Sequence, residues 1–484
     1  MIQHLPTARS PRPDRESADP HVLADSLEEH FGAPAELVET HMSWVVLTPD
    51  RAYKLKRPVS FGFADLRNRR VRAVACRHEL HLNAELAPGV ELAVRSVVER
   101  ADGSYTLTRD GDTRAIDHVI EMRRFDEGRT MRSLLEHGAL TDAQVRAAGA
   151  RLARFHLHAG RATRPVHHRA RADENAAELI ETAGDRLDAR ELAGARRFVN
   201  AFATGWADVL HAREAGGNIV DGHGDVRTDH VLFEDGDVLI VDRLDIDRLR
   251  DVDVAEDLAF LTMDLEAHGG AFYVAPLLEG YAAGGGVGVP SALLAYYAAC
   301  RALVRAKVAL LPGSADGADE ARHLLGLART FAWRARGPLL LLVTGPPASG
   351  KSTLAAGLSR VSGLPVLSSD EIRLEHAGLG FDPEDRARVY AELARRAAGS
   401  PSVIVDATFG EPGLQEAFFS RIAPDDDRAV VALECTAPDT VRIVRAEVRE
   451  QGDHASSSKA GPEVARVLGE RFTPVPAADI DARY

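Results

Sequence analysis

The sequence predicts an α+β domain of two lobes, followed by an α/β domain with a parallel sheet. Strand-like segments surround one long helical pattern in residues 43–123, helical patterns dominate residues 133–336, and strand and helix then alternate to the end. With 484 residues, the chain is too long for a single hydrophobic core. The predicted parts are a mobile tail (1–20), a first domain (21–334, with an N-lobe to about residue 120 and a C-lobe over 121–334) and a second domain (335–484).

Composition places the chain among globular proteins of a reducing compartment. Hydrophobic residues make up 45% of the chain and charged residues 27%. Cys76, Cys300 and Cys435 lie far apart, which argues against a disulfide framework and against a zinc site. No apolar run reaches membrane-spanning length, and the first twenty residues lack the apolar core of a signal peptide. We therefore expect a cytoplasmic protein without a membrane partner; the sequence does not predict its oligomeric state.

Lysine is rare among the basic residues of this chain, and its few positions are therefore informative. A net charge of −14 argues against general affinity for nucleic acid. Only five of the 59 basic residues are lysines: Lys54, Lys56, Lys307, Lys351 and Lys459. A coding bias that favours arginine on surfaces is the simplest explanation of this scarcity. Lysine and arginine are not equivalent as point contacts to phosphate, so the remaining lysines are candidates for such contacts.

The predicted N-lobe begins with a hairpin. Residues 43–48 and 52–57 have strand patterns and flank the turn sequence Thr-Pro-Asp-Arg. A helix with regular apolar spacing follows and ends at Ala-Pro-Gly. The helix is Arg70–Leu86, and the further predicted strands are Val90–Val98, Tyr105–Arg109 and His118–Arg123. This order predicts a strand-rich lobe with one main helix.

Short strands interrupt the helical region at 217–220 and 231–242, and a pair of acids accompanies them. Asp225 lies in the loop Asp221-Gly-His-Gly-Asp225, and Asp242 ends the strand Val238-Leu-Ile-Val-Asp242. Phosphoryl transfer needs such a pair, because one carboxylate accepts the proton of the attacking hydroxyl and the other holds Mg²⁺. A strand lysine (Lys54 or Lys56) and a helix glutamate (Glu79 or Glu85) are candidates for the ion pair that would position ATP.

These residues resemble the aminoglycoside phosphotransferase family, which has the bilobal protein-kinase fold. The resemblance covers about residues 20–330 and is strongest at 221–266. Its matching pieces are Tyr53-Lys-Leu-Lys56, the helix with Glu79, the hinge-like Ile120-Glu-Met-Arg-Arg124, His223-Gly-Asp225 and Val241-Asp242. It implies ATP and Mg²⁺ as cofactors, a small hydroxyl compound as acceptor, Asp225 as catalytic base and Asp242 as metal ligand. Lys56 is the preferred ATP lysine, although period-two alternation places Lys54 on the same strand face.

The sequence departs from that family at two positions. Five residues after Asp225, where the family has the Asn that is a second metal ligand, this chain has His230, and imidazole matches Mg²⁺ poorly. Arg227 replaces the usual His, and its cation can still contact the γ-phosphate. A related two-domain group, which joins such a domain to a C-terminal ATP-binding domain, resembles this chain at His230 as well. His230 is thus either a metal ligand or a packed histidine.

Four further acids follow Asp242 and admit two interpretations. They are either a metal cluster or, as we prefer, a solvated acidic loop, in which Asp257 accepts backbone N–H groups. The four are Asp245, Asp247, Asp251 and Asp253.

The C-terminal part contains a phosphate-binding sequence in its proper context. The apolar strand at 339–343 runs into Gly345-Pro-Pro-Ala-Ser-Gly350-Lys351-Ser352-Thr353 and then into a helix. The glycines let backbone N–H groups close around a phosphate, Lys351 reaches the β/γ oxygens, and the Ser352 hydroxyl can hold Mg²⁺. The sequence therefore predicts a P-loop nucleotide site.

Two carboxylates and three arginines complete this second candidate site. Asp370 follows the predicted strand 365–368, and Asp406 ends the strand 402–406, so both fall at the carboxyl edge of the sheet. Asp406 suits the Mg²⁺ shell, and Asp370 can accept the acceptor's proton. Either of two arginines, Arg445 or Arg449, can neutralise transition-state charge; together with Arg442, their helical spacing equally fits a solvated basic face.

The second part resembles P-loop kinases of the gluconokinase and polynucleotide-kinase type over about residues 337–475. In that resemblance the stretch Ser368-Ser-Asp370-Glu-Ile-Arg373 binds the acceptor. The sequence as a whole predicts an ATP-dependent phosphotransferase with two nucleotide-binding modules, acting on a sugar or an aminoglycoside-like molecule. The alternative is a nucleotide-gated binding protein with a weakened kinase-like domain, and phosphorylation of a nucleic-acid 5′ end is the least favoured reading.

Overall fold

The computed structural model describes residues 17–40, 42–61, 64–162, 164–311, 317–376, 379–422, 428–451, 461–476 and 482–483. The chain divides into two compact units, residues 1–168 with 203–288 and residues 169–202 with 289–484. Most of the predicted tail (1–16) lies outside the described residues. Residues 17–20 are packed rather than extended in solvent, since Ala18 is buried and Asp19 caps the first helix.

The first unit begins with a six-stranded antiparallel sheet of order β1-β2-β3-β8-β6-β7. The predicted hairpin is confirmed as β2 and β3, in which Val45 lies opposite Lys54. The elements are α1 (Pro20–Phe31), β1 (Glu36–Glu39), β2 (Ser43–Leu47), β3 (Arg51–Lys56), β4 (Ser60–Phe61), β5 (Ala64–Asp65), α2 (Arg69–Leu86), β6 (Glu91–Glu99), β7 (Tyr105–Arg109) and β8 (Asp117–Arg123).

Strand β3 separates a hydrophobic core from a polar face. Tyr53 and Leu55 pack with Leu27 of α1 in the core on one side of the sheet. Because side chains alternate along a strand, Lys54 and Lys56 point to the opposite side, where α2 lies. The buried residues of α2 recur at helical spacing and include Cys76 and Glu79. The sheet thus presents both lysines to one helix.

The rest of the first unit is mainly helical, as predicted, with two short antiparallel strand pairs, β9–β12 and β10–β11. Helices α4 and α10 cross closely at two glycines. A Cβ atom at Gly149 would lie 2.3 Å from the Leu277 carbonyl oxygen, and one at Gly280 would lie 2.1 Å from that of Arg146. The elements are α3 (Met131–Glu136), α4 (Asp142–His158), α7 (Ala207–Ala215), β9 (Ile219–Asp221), β10 (Val231–Glu234), β11 (Asp237–Ile240), α8 (Asp247–Arg250), β12 (Asp251–Asp253), α9 (Val254–Ala267) and α10 (Val274–Ala283).

In the described residues of the second unit, four helices precede a five-stranded parallel sheet of order β14-β15-β13-β16-β17, which is accompanied by further helices. Every residue of β13 is buried, which explains its continuous apolar sequence. The helices are α5 (His168–Ala183), α6 (Ala189–Gly205), α11 (Ser291–Ala309) and α12 (Gly317–Arg334). The later elements are β13 (Leu339–Thr344), α13 (Lys351–Ser362), β14 (Val366–Ser368), α14 (Ser369–Glu375), α15 (Pro383–Ala398), β15 (Val403–Asp406), α16 (Pro412–Phe419), β16 (Ala429–Glu434), α17 (Asp439–Gln451), α18 (Pro462–Glu470) and β17 (Ala482–Arg483).

The predicted fold class is confirmed, namely a kinase-like α+β part followed by an α/β P-loop part with a parallel sheet. Helices α11 and α12 and nearly all of α5 and α6 belong to the same compact unit as that sheet. The predicted domain boundary between residues 334 and 335 stays a prediction. Within the described ranges, no helix has both the length and the apolar character that a membrane span requires.

Candidate functional sites

The two lysines of β3 share one glutamate but have different second partners. Lys54 Nζ lies 2.6 Å from Glu79 Oε1 and 2.8 Å from Asp242 Oδ1. Lys56 Nζ lies 2.5 Å from Glu79 Oε2 and 2.6 Å from Asp245 Oδ2. Glu79, and not the alternative Glu85, is therefore the helix acid of this network. The structure brings Lys54 directly to the carboxylate that the sequence predicts as a metal ligand.

Exposure distinguishes the two lysines further. The Lys54 side chain is 18% exposed and that of Asp242 49%, whereas the Lys56 side chain is 4% exposed. The positive charge of Lys54 lowers the pKa of Asp242. Burial alone would lower the pKa of Lys54, but the carboxylates of Asp242 and Glu79 outweigh it and raise that pKa well above its usual value. Lys54 and Asp242 form the charged pair that a ligand can reach.

Asp257 of α9 organises the loop that carries Asp225. Its carboxylate is fully buried and accepts the backbone N–H of His223 (2.7 Å) and of Gly224 (2.9 Å). The same carboxylate lies 3.2 Å from His156 Nε2. The predicted role of Asp257 as an acceptor of backbone N–H groups is confirmed. Gly224 has a φ of 83°, a conformation that glycine adopts without strain.

His223 is held in its neutral form by two hydrogen bonds of opposite sense. Its Nε2 donates to the Val241 carbonyl oxygen (3.0 Å), and its Nδ1 accepts the Asp225 N–H (3.2 Å). Protonation at Nδ1 would break the second bond. Burial lowers the pKa of His223 to about 4.

We expect the first unit to lose stability in mild acid because of His223. In the unfolded chain a histidine gains its proton near pH 6.5, whereas folded His223 gains it only near pH 4. The folded state is therefore penalised increasingly as pH falls from 6.5 to 4, by about 2 kcal/mol at pH 5. Urea unfolding at pH 7.5, 6.5 and 5 measures the loss. The His223→Gln variant lacks this titration, so an equal pH dependence in both proteins would contradict the expectation.

Asp225, Arg227, His230 and Asp242 converge in one place, as the sequence predicts. Arg227 Nε lies 3.2 Å from Asp225 Oδ2, and Arg227 Nη2 lies 2.7 Å from His230 Nε2. His230 Nε2 is also 3.6 Å from Asp242 Oδ2. Asp242 has a φ of 62°, which is strained for a residue other than glycine. Such backbone strain, at a residue whose side chain faces the site, is typical of functional positions.

Asn83 and Arg243, for which the sequence predicted no role, hold the segment after Asp242 in place. Asn83 Oδ1 accepts the Arg243 N–H (2.9 Å), and Asn83 Nδ2 donates to Glu91 Oε1 (2.9 Å). The Arg243 side chain donates to the carbonyl oxygens of Asp221 (2.6 Å) and Gly222 (3.0 Å). Asn83 follows Glu79 by one helical turn, and that spacing was a usable signal. Nothing in the sequence marks Arg243.

The preferred interpretation of the acids after Asp242 as a solvated loop is wrong for three of them, the first being Asp245, whose side chain is 13% exposed and pairs with Lys56. Asp253 is fully buried and pairs with Arg213 at 2.7 Å, and buried Asp251 pairs with Arg164 at 2.9 Å. Asp247, with a 61% exposed side chain, does face solvent. The alternative of a metal cluster finds no support either. In the part of the chain that the structure describes, no three His, Cys, Asp or Glu side chains are arranged to hold a metal ion.

The predicted P-loop lies at the carboxyl end of β13 and opens into a cavity of about 1210 Å³. Gly345 and Gly350 have φ values of 133° and 105°, which favour glycine. A Cβ atom at Gly345 would lie 2.2 Å from the Cys435 carbonyl oxygen. Lys351 Nζ donates to the Pro346 carbonyl oxygen at 3.0 Å. The cavity lining includes Gly350, Lys351, Ser352, Thr353, Asp370, Arg373, Asp406 and Arg445.

Asp406 and Ser352 supply oxygen ligands of the kind that Mg²⁺ prefers. Asp406 ends β15 and lies opposite Val343 of β13 in the parallel register. Burial raises the pKa of Asp406, and a hydrogen bond from the Ser352 side chain and the nearby charge of Lys351 oppose the increase. The Ser349 hydroxyl, which also lines the cavity, is buried and has no hydrogen-bond partner among the described residues. This donor set fits a nucleotide with a divalent cation.

The other predicted residues of this site have distinct surroundings. Asp370 lies in the first turn of α14 and pairs with Arg373 at 2.7 Å. Arg445 lines the cavity, and its Nη1 lies 3.3 Å from the Ala348 carbonyl oxygen in the P-loop. Arg442 is buried and donates a hydrogen bond to Asp439, so it does not belong to a solvated basic face. The side chain of Arg449 lies outside the described residues.

Sequence comparisons match both parts of the chain to known families. Residues 42–302 match the model of a phosphotransferase enzyme family, and residues 340–474 match that of an AAA domain. Uncharacterized proteins of Mycobacterium tuberculosis (strain ATCC 25618 / H37Rv) and Mycobacterium bovis (strain ATCC BAA-935 / AF2122/97) are each 32% identical over 462 residues. These alignments cover 90% of this chain and 89% of each relative. The similarity therefore includes both candidate sites.

Solved structures resemble the two parts separately. A choline/ethanolamine kinase family protein from Mesorhizobium loti is 16% identical with a TM-score of 0.40, covering 64% of this chain and 92% of that one. An aminoglycoside phosphotransferase from Streptomyces rimosus ATCC10970 is 16% identical with a TM-score of 0.34, covering 57% and 96%. A gluconokinase from Sinorhizobium meliloti 1021 is 17% identical with a TM-score of 0.24, covering 30% and 81%.

Proposed function

The chain belongs to the phosphotransferase enzyme family, and from that premise we propose that it is an ATP-dependent kinase acting on a hydroxyl of a small molecule. Each unit contributes one nucleotide site, built on Lys54 in the first unit and on Lys351 in the second. The acceptor class, a sugar or an aminoglycoside-like molecule, is carried over from the family resemblance alone.

One observation carries the proposal for the first unit, namely that Lys54 bridges Glu79 and Asp242 at 2.6 and 2.8 Å. In kinases an ion pair between a strand lysine and a helix glutamate positions the phosphates, and the acid after the hairpin holds the metal. We assign Lys54 this role instead of Lys56, the choice preferred from the sequence, because Lys54 contacts Asp242 and the more buried Lys56 is fixed to Asp245.

Asp225 is the proposed general base. Its carboxylate takes the proton of the acceptor hydroxyl as the oxygen attacks the γ-phosphorus, the bond from that phosphorus to the bridging oxygen breaks, and ADP leaves. The Asp225 side chain is 24% exposed, so an acceptor can approach it from solvent. Mg²⁺, when bound at Asp242, supplies charge neutralisation on the phosphates.

The second unit carries the parts of an independent phosphoryl-transfer site. Lys351 and the backbone of the P-loop are proposed to hold the β- and γ-phosphates, and Ser352 with Asp406 is the set for Mg²⁺. Asp370 is the proposed base, held in place by its 2.7 Å contact with Arg373. Arg445, within the same cavity lining, is proposed to balance charge on the phosphates.

A second candidate function is favoured by the surroundings of Asp225. Arg227 bonds to the Asp225 carboxylate in this structure and so competes with an acceptor hydroxyl for it. In this alternative, the first unit binds a partner or ligand without efficient catalysis, and ATP hydrolysis in the second unit drives a conformational switch.

Phosphate transfer with the purified full-length protein distinguishes the two functions. We expect one member of a panel of sugars, aminoglycosides and nucleosides to stimulate ATP consumption and to become phosphorylated. If the first unit acts, Asp225→Asn lowers that turnover by about 10²- to 10⁴-fold, and Asp237→Asn, at an exposed position of the neighbouring hairpin, leaves it unchanged. If the second unit acts, Lys351→Ala abolishes it. Hydrolysis to water alone, lost only in Lys351→Ala, would support the switch.

A further inference from the structure

The first unit departs from the two-cation arrangement of protein kinases. There, one Mg²⁺ ligand is the acid after the hairpin and another is an asparagine of the catalytic loop. Asp242 provides the first ligand here, but the loop position is His230. Mg²⁺ strongly prefers oxygen ligands, so an imidazole in this position fits it poorly.

Both ring nitrogens of His230 are already engaged. Its Nδ1 donates to the Asp225 carbonyl oxygen at 2.7 Å, which leaves Nε2 as the acceptor nitrogen. That nitrogen accepts a hydrogen bond from Arg227 Nη2 at 2.7 Å. His230 as a whole is only 6% exposed, so its ring has little room to turn. His230 therefore offers no lone pair to a metal ion.

The guanidinium of Arg227, a permanent cation, lies beside His230 and Asp225. The guanidinium of Arg227 uses its three nitrogens on three partners, Nε on Asp225 (3.2 Å), Nη1 on Asp229 (3.3 Å) and Nη2 on His230 (2.7 Å). The Arg227 side chain is 17% exposed. Burial opposes its charge, but the nearby carboxylates of Asp225, Asp264, Asp229 and Asp242 outweigh burial and raise its pKa.

The segment that carries this cation is itself anchored. The Asp264 carboxylate of α9 accepts the Thr228 N–H at 2.8 Å and the Thr228 hydroxyl at 2.5 Å. Arg132 of α3 donates to the same carboxylate at 3.1 Å. Because Thr228, which directly follows Arg227, is fixed in this way, the position of the guanidinium is set before any ligand arrives.

We propose that the guanidinium of Arg227 supplies the positive charge that a second divalent cation supplies in kinases with asparagine at the loop position. The nucleotide site of the first unit then takes one divalent cation, at Asp242. His230 is a positioning residue that holds Arg227, and its predicted role as a metal ligand is replaced by this one. The inference rests on the proposed nucleotide site of this unit.

The number of divalent ions bound per bound nucleotide tests the proposal. The probes are Mn²⁺ and the non-hydrolysable analogue AMP-PNP, measured by equilibrium dialysis on the full-length Lys351→Ala protein, in which the second unit is disabled. We expect a ratio of one. In the same background, the double variant Arg227→Leu/His230→Asn removes the cation and restores an oxygen ligand, so we expect a ratio of two.

Further variants separate the effect of the Arg227 charge from the effect of the side chain at position 230. His230→Asn alone should keep the ratio at one, since the Arg227 cation still repels a second ion, and this single change tests the proposal if the double variant does not fold. Arg129→Leu, at an exposed arginine outside the site, is the control and should also give one. A ratio of two in the parent or in His230→Asn, or of one in a folded double variant, would overturn the proposal. Absence of AMP-PNP binding in the parent would instead refute the nucleotide site of the first unit, and this inference with it.

Discussion

Replacing Lys54 with methionine is expected to lower phosphoryl transfer in the first unit by at least about 10²-fold, the scale of losing one preorganised electrostatic contact to the reacting groups. Stability should change little. Asp242 is 49% exposed and remains solvated without its partner, and Glu79 keeps Lys56. Turnover in the Lys351→Ala background and thermal unfolding of the same protein measure both effects.

Lys56→Met is the matched control, because it removes the same charge from the same strand and the same glutamate. It leaves Asp245, whose side chain is 13% exposed, without its 2.6 Å partner. Breaking a buried pair in this way costs about 3 kcal/mol of folding free energy, so we expect a lower unfolding temperature and a smaller loss of turnover. The reverse pattern, with turnover more sensitive to Lys56→Met, would return the nucleotide role to Lys56.

Lys351→Ala is expected to weaken nucleotide binding in the second unit below what calorimetry detects. The lysine side chain enters the P-loop cavity, and a charge-assisted contact of about 3 kcal/mol corresponds to about a hundredfold in affinity. Calorimetric titration of the full-length protein with AMP-PNP should show two sites per chain in the wild type and one in the variant.

Lys307→Met provides the comparison for that titration. Lys307 belongs to the same unit and pairs with Asn175 and Glu178 at 2.9 and 2.5 Å, away from the P-loop cavity. Two sites should remain in this variant. Two undiminished sites in Lys351→Ala would show that the P-loop cavity is not where the nucleotide binds.

Local sequence patterns predicted the fold well where periodicity is strong. The β2–β3 hairpin, the helix α2 and the strands β13, β15 and β16 lie where alternation or continuous apolar runs placed them. The short strand β12 was missed, because its three residues include two aspartates and have no strand pattern. It pairs with β9, whose residues precede it by about thirty positions, so only the tertiary fold creates it.

The choice between the two lysines shows a similar limit. Alternation places Lys54 and Lys56 on the same face of β3, and nothing local separates them. Asp242 and Asp245 separate them, and these acids lie 188 and 189 residues further along the chain. The ion pairs of the buried Asp251 and Asp253 escaped prediction for the same reason, because their arginines, Arg164 and Arg213, are remote in sequence.

The scarcity and unequal exposure of the lysines also make this protein suited to covalent labelling. An acyl-phosphate derivative of ATP transfers its acyl group to an amine that contacts the phosphates. Lys54, 18% exposed, should acquire the label from the first unit, while Lys56, at 4%, is shielded. With only five lysines in the chain, mass spectrometry of two peptides would report the occupancy of each nucleotide site separately. Inhibitor selectivity between the two sites could then be measured in one sample.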